Sequence, residues 1–94
     1  MLRYLHVTHA AVFMTELQVL LFASYAEAFG AAAVTIAVPD SGTVADVIAA
    51  LRVLPGGHVL PPRPLVAVDR RYSPGTVAVK AGQEVAVIPP VAGG

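Results

Sequence analysis

The stretch Glu84-Val85-Ala86-Val87-Ile88-Pro89-Pro90-Val91-Ala92-Gly93-Gly94 decides how the rest of the chain reads. Val85, Val87 and Ile88, with Ala86 between them, make an apolar run of strand length, rich in β-branched residues. Pro89 and Pro90 have no backbone N–H to donate, so the ladder stops there and the chain peels away. The four residues from Val91 to Gly94, fully extended, reach at most ~14 Å. Gly93 and Gly94 have no side chain and tolerate any backbone geometry, which suits a narrow groove in another protein. The pattern predicts a strand running into a projecting arm, residues 89–94, that presents the carboxylate of Gly94.

Upstream, residues 17–23 are apolar at nearly every position, and Val19, Leu20, Leu21 and Phe22 suit a central strand covered on both faces. Ser24 can cap a short helix over 25–29, which Gly30 ends in the left-handed conformation. Val34, Ile36 and Val38 alternate with Thr35 and Ala37, a partner strand closed by Pro39-Asp40-Ser41-Gly42. Thr43 followed by Asp46 reads as a capping box, and Val44, Val47, Ile48, Leu51 and Leu54 recur at helical spacing. That helix is the main one, and each of these side chains contributes roughly 1.5–3 kcal/mol if fully buried, before conformational entropy is charged.

Pro55-Gly56-Gly57-His58 ends it, and Pro61, Pro62 and Pro64 keep the next stretch irregular until a strand at 65–68. Asp69-Arg70-Arg71 starts a polar connection, 76–79 is a short strand candidate, and Lys80-Ala81-Gly82-Gln83 turns into the last strand. This order suits an α+β fold with a mixed sheet of about five strands and one main helix on one face. If the first and last apolar strands are parallel neighbours, the arm leaves from the middle of the sheet.

The chain has 94 residues, enough for a single core. Six basic and six acidic residues leave no net charge, so there is no basic stripe for a nucleic acid. The absence of cysteine excludes disulfides, thiolate metal sites and a cysteine nucleophile. Hydrophobic residues reach 56%, yet Glu16, Gln18, Glu27 and Asp40 interrupt every apolar stretch well short of a membrane span. The surplus predicts an exposed patch that covers a partner.

His6, Thr8 and His9 break any apolar signal core near the start. Residues 1–13 are expected to be a flexible extension and 14–94 the domain, placed in the cytoplasm. There is no phosphate-cradling loop, the histidines His6, His9 and His58 lack companions at metal-ligand spacing, and Ser24, Ser41 and Ser73 sit in no nucleophile setting. The chain is expected to be no enzyme by itself and to bind no metal or cofactor.

The end Val85-Ala86-Val87-Ile88-Pro89-Pro90-Val91-Ala92-Gly93-Gly94 resembles the C-terminus of the MoaD-like small subunits of molybdopterin synthase, sulfur carriers of the ThiS/MoaD ubiquitin-like family. The resemblance extends upstream to residues 19–30, 43–51 and 65–69. It implies a ubiquitin-like β-grasp fold and a Gly94 that is adenylated and then converted to a thiocarboxylate, with Gly93 beside it.

It also implies partners: a ubiquitin-activating-type adenylyltransferase (MoeB/ThiF-like) that uses ATP, a sulfur donor, and a MoaE-like large subunit where sulfur passes to a pterin precursor in molybdenum cofactor biosynthesis. Pro89, Pro90, Val91 and Ala92 form the arm, and Val87, Ile88 and Phe22 belong to the apolar docking surface. Where the family often has aromatics before the paired prolines, this chain has Val87 and Ile88, and its first helix lacks an arginine. Two other destinations for the carboxylate stay open: sulfur supply to thiamine, cysteine or tRNA, and conjugation of Gly94 to lysines of target proteins.

Overall fold

Burial alternates along the first long strand, with Leu17, Val19 and Leu21 buried, Gln18 exposed and Leu20 half-buried between them. A strand with this two-residue period lays one row of side chains against a helix layer and leaves the other row on the outer face of the sheet. The computed structural model describes residues 3–7 and 10–90.

Strand β1 (Arg3–Val7) turns into β2 (Ala10–Leu21), followed by helix α1 (Ala23–Phe29), β3 (Ala33–Pro39) and helix α2 (Val44–Arg52). A 3-10 turn, Gly57–Val59, precedes β4 (Leu65–Val68), β5 (Arg71–Tyr72) and β6 (Val85–Ile88). β2 pairs antiparallel with β3 from Met14↔Pro39 to Leu20↔Ala33. On its other edge it pairs parallel with β6, from Val19↔Val85 to Leu21↔Val87. β4 pairs antiparallel with both β6 and β5. The order β3-β2-β6-β4-β5 gives the five mixed strands of a β-grasp sheet around α2, with the parallel pair at its centre, and β1 joins it as a sixth strand.

The stretch read as a flexible extension differs from that expectation. Arg3–Val7 pairs antiparallel with the start of β2, from Arg3↔Met14 to Val7↔Ala10. Met14 also pairs with Pro39, so β1 lies on the edge opposite β3, the same edge that β6 takes further along. The long strand β2 supplies backbone partners to both, which the apolar pattern of residues 17–23 alone did not reveal.

Val19, Val44, Val47, Leu51, Val85 and Val87 are at most 1% exposed and form the centre of the core between α2 and the sheet. α2 begins where the Thr43 backbone N–H donates to Asp46 Oδ2 at 2.8 Å, as the capping-box reading requires. It ends at Arg52, short of Leu54, whose N–H instead reaches Leu51 O in a tighter turn. There the chain runs against α1: a Cβ on Gly56 would fall 2.4 Å from Ala28 O, and one on Gly57 2.2 Å from Leu51 O. Only glycine fits such an approach.

Two local expectations are corrected. α1 starts at Ala23 with Phe22 as its N-cap, and no side chain caps it. The Phe22 carbonyl accepts from Tyr25 N–H at 3.0 Å, and Ser24 falls inside the first turn because Tyr25 is the residue that buries. Residues 76–79 form no strand, since Val44 N–H bonds to Val77 O at 2.9 Å and Val79 N–H to Gly42 O at 3.0 Å. The backbone of that segment is satisfied by the entry to α2, leaving only a Thr43↔Ala78 bridge.

Removing the reciprocal cap in Asp46→Ala should lower stability by about 1 kcal/mol, read as a drop in urea midpoint at unchanged slope; no drop would mean the helix start is held by packing alone.

Burial raises the Tyr25 pKa above its ordinary 10.0 because the charged phenolate is poorly solvated there. The unfolded chain therefore loses this proton first, so the Tyr25 contribution to stability should be constant below pH 10.0 and fall as pH rises past it. Urea midpoints against pH should show this fall, and Tyr25→Phe should reduce it.

Candidate functional site

The outer face of the sheet, opposite α2, is built by the register. Leu20 pairs with Ala86, Ala86 with Ala67, and Ala67 with Tyr72, so one rung crosses β2, β6, β4 and β5. At about 4.8 Å between strands this rung spans ~14 Å. The next rung pairs Ile88 with Leu65. Phe22 lies one residue beyond the last β2–β6 pair, Leu21↔Val87, and continues the alternation of Leu20.

Ala67 and Ala86 are small and 7% exposed, and form the floor. Around them Leu65, Phe22 and Tyr72 are 43%, 47% and 68% exposed. These large apolar groups share one face next to the end of β6, where the chain leaves the sheet at Pro89, half-buried, and Pro90, exposed.

Of the residues chosen from sequence, Phe22, Ile88, Pro89 and Pro90 come together at this face and its edge. Val87 does not: it is fully buried, pairs with Leu21 and Val66, and points into the core under α2, so its side chain serves packing and not a partner. Val91, Ala92, Gly93 and Gly94 lie outside the described residues. The sequence reading missed Leu65, Ala67, Tyr72 and Ala86. The signal that could have found them is the two-residue period of each strand, counted outward from its buried valines.

The rim is polar. Arg70 Nε lies 3.9 Å from Glu84 Oε1 in an exposed pair that contributes little. Asp69 does more, accepting from Glu84 N–H at 2.9 Å and Gln83 Nε2 at 3.0 Å, and so ties the β4–β5 turn to the start of β6. Among the described residues no group of three His, Cys, Asp or Glu side chains could hold a metal ion, and no helix is long and apolar enough to cross a membrane. What the described residues of the site offer is an apolar platform beside the point where the chain leaves the sheet.

The model of the ThiS family matches residues 19–94. Among solved structures, SAMP1 from Haloferax volcanii is 28% identical, with a TM-score of 0.74 over 85% of this chain and 100% of that one. The HVO 2177 protein of Haloferax volcanii is 30% identical, with a TM-score of 0.70 over 86% and 88%. A Pyrococcus furiosus protein provisionally assigned as molybdopterin converting factor, subunit 1, is 25% identical, with a TM-score of 0.70 over 81% and 98%. No curated protein matches the sequence.

Mutation should separate the two layers behind the shared strands. Val87→Ala should cost about 2 kcal/mol through the cavity it leaves, whereas Leu65→Ser or Tyr72→Ser on the outer face should stay within about 0.5 kcal/mol. Denaturant midpoints of the three variants check this, and equal losses would mean the outer face is part of the core.

Proposed function

The chain belongs to the ThiS family, the ubiquitin-like sulfur carriers and modifiers, and from that premise we propose that it is the small, sulfur-donating subunit of a molybdopterin synthase. The observation that carries the reading is the position of β6, hydrogen-bonded between β2 and β4 and ending at Pro89-Pro90 beside the apolar rungs of the outer face. An arm rooted there is held by the stiffest part of the sheet. The likeness to the Pyrococcus furiosus protein supports the molybdopterin destination.

On this reading the chain is not an enzyme alone and binds no cofactor. A carboxylate is a poor electrophile until it carries a good leaving group. An adenylyltransferase of the ubiquitin-activating type binds ATP, and a Gly94 oxygen attacks its α-phosphorus, releasing pyrophosphate and leaving an acyl-adenylate. Sulfide released by a sulfur donor adds to the Gly94 carbonyl, the C–O bond to AMP breaks with AMP leaving, and a thiocarboxylate forms.

That sulfur, ionised at neutral pH and soft, then attacks a carbon of a pterin precursor in the large MoaE-like subunit and displaces an oxygen leaving group. Water cleaves the resulting thioester, leaving the sulfur on the pterin and returning the Gly94 carboxylate. Pro89, Pro90, Val91 and Ala92 span the gap between platform and active centre, and Gly93 and Gly94 pass through it without side chains. Phe22, Ile88 and the rung from Leu20 to Tyr72 supply the apolar contact with each partner in turn, in the cytoplasm where these enzymes work.

A second reading is favoured by the likeness to SAMP1, a small archaeal modifier protein: the activated Gly94 would be passed to lysine amines of other proteins. Both begin with the same adenylate and diverge at the nucleophile. Incubation with ATP, an adenylyltransferase and a sulfur donor should exchange one oxygen of Gly94 for sulfur in the intact mass, and adding a large synthase subunit with pterin precursor should discharge it. No exchange would overturn the carrier reading. Exchange without discharge would direct the sulfur to another acceptor, such as thiamine, cysteine or tRNA. Isopeptide-linked products in cells would select the modifier reading.

A further inference from the structure

α2 carries a second stripe besides the one it buries. Val44, Val47 and Leu51 face the sheet, while Ala45, Ile48, Ala49 and Arg52, at spacings of three and four, form a flank. Ala45 and Ala49 are exposed. This flank is the floor of an open groove of about 510 Å³, walled by residues 62–64 and by residues 73–75. The walls are stiff, with Pro62 and Pro64 on one side and Pro74 on the other, and Ala45 N–H is tied to Gly75 O at 3.0 Å. The groove lies on the helix layer, apart from the outer sheet face that carries Leu20 and Ile88.

Its charge has one sign. The groove-lining residues include Arg52 and Arg63 and no acidic residue. The Arg52 guanidinium donates to the carbonyls of Leu60 at 3.0 Å, Pro61 at 2.7 Å and Pro62 at 3.2 Å. These bonds hold its charge at one end of the groove without neutralising it. Among the described residues no carboxylate pairs with Arg52 or Arg63. A positive end on an apolar trough complements a carboxylate that follows apolar side chains.

The trough is too exposed, and too poor in buried polar groups, to orient a free small molecule. From Ala45 to Arg52 the helix flank is ~10 Å long at 1.5 Å per residue, the span of about three extended residues. We propose that this groove docks a short extended segment of a partner protein, apolar side chains over Ala45 and Ala49 and a carboxylate on Arg52 and Arg63. Rigid walls lower the ordering cost of such binding. Because the groove is separate from the outer sheet face and from Pro89-Pro90, a protein held here does not cover that platform, and the inference stands whichever acceptor Gly94 serves.

The probe is a short capped peptide of alternating leucine and glutamate, titrated into the isotope-labelled full chain and followed by amide chemical shifts. Saturable shifts at Ala45, Ala49 and Gly75 are expected. Glutamine in place of glutamate, or the exposed-site variant Arg63→Glu with unchanged melting temperature, should weaken binding about tenfold, and a lysine peptide should prefer Arg63→Glu. Octanoate, a free apolar carboxylate, should leave these amides unmoved. No saturable shift at millimolar peptide, equal binding of the lysine peptide, shifts confined to Leu20, Ala86 and Ile88, or binding of octanoate alone would each overturn the proposal.

Discussion

The parallel pairing of β6 with β2, Val19↔Val85 through Leu21↔Val87, is the constraint on which the rest of the molecule depends. Parallel neighbours need a long crossover between them, and here it contains both helices, β3, β4 and β5. Burial on both faces is the usual condition of such a pair. On the inner face Val19, Leu21, Val85 and Val87 meet α2 and are at most 2% exposed. On the outer face, among the described residues, no helix lies over Leu20 and Ala86 as α2 lies over the inner face. The sheet thus contains an incomplete sandwich at its centre, a natural place for another protein to supply the missing layer.

The same pairing sets the direction of the tail. β6 is held on both edges, by β2 as far as Val87 and by β4 as far as Ile88. The two prolines that follow cannot extend the ladder, so the backbone departs from a rigid point. A reactive group at the end of a short arm is placed only as well as its root, and a root in a central strand moves less than one at an edge or in a loop. On the proposed reading, this is the physical connection between the β-grasp arrangement and the use of a terminal carboxylate by other proteins.

Much of the fold was legible in local pattern. The strands at Ala33–Pro39, Leu65–Val68 and Val85–Ile88, the Thr43–Asp46 helix start and the Gly30 helix end all follow from period, capping and turn chemistry. The misreadings have physical causes. Ser24 looked like a cap, but the helix that buries Tyr25 starts two residues earlier, and residues 76–79 looked like a strand until Gly42 and Val44 took their hydrogen bonds. Residues 1–13 looked detached until Arg3–Val7 paired with β2. In the last two cases a partner distant in sequence claimed backbone groups that local preference had assigned elsewhere, and in the first the burial of one side chain outweighed a local capping preference.

The sequence by itself determined the parts that depend on near neighbours: an apolar final strand, two prolines that stop it, and glycines without side chains at positions 93 and 94. It determined the charge balance and the absence of thiols, and with them much of the chemistry the chain cannot do. Only the tertiary structure decided which apolar residues face inward. Val87 and Ile88 are adjacent and chemically alike, yet one is fully buried under α2 and the other lies on the outer face beside Leu65. Successive residues of a strand point to opposite sides, so the register with β2 and β4, long-range and invisible in the run itself, assigns each its side.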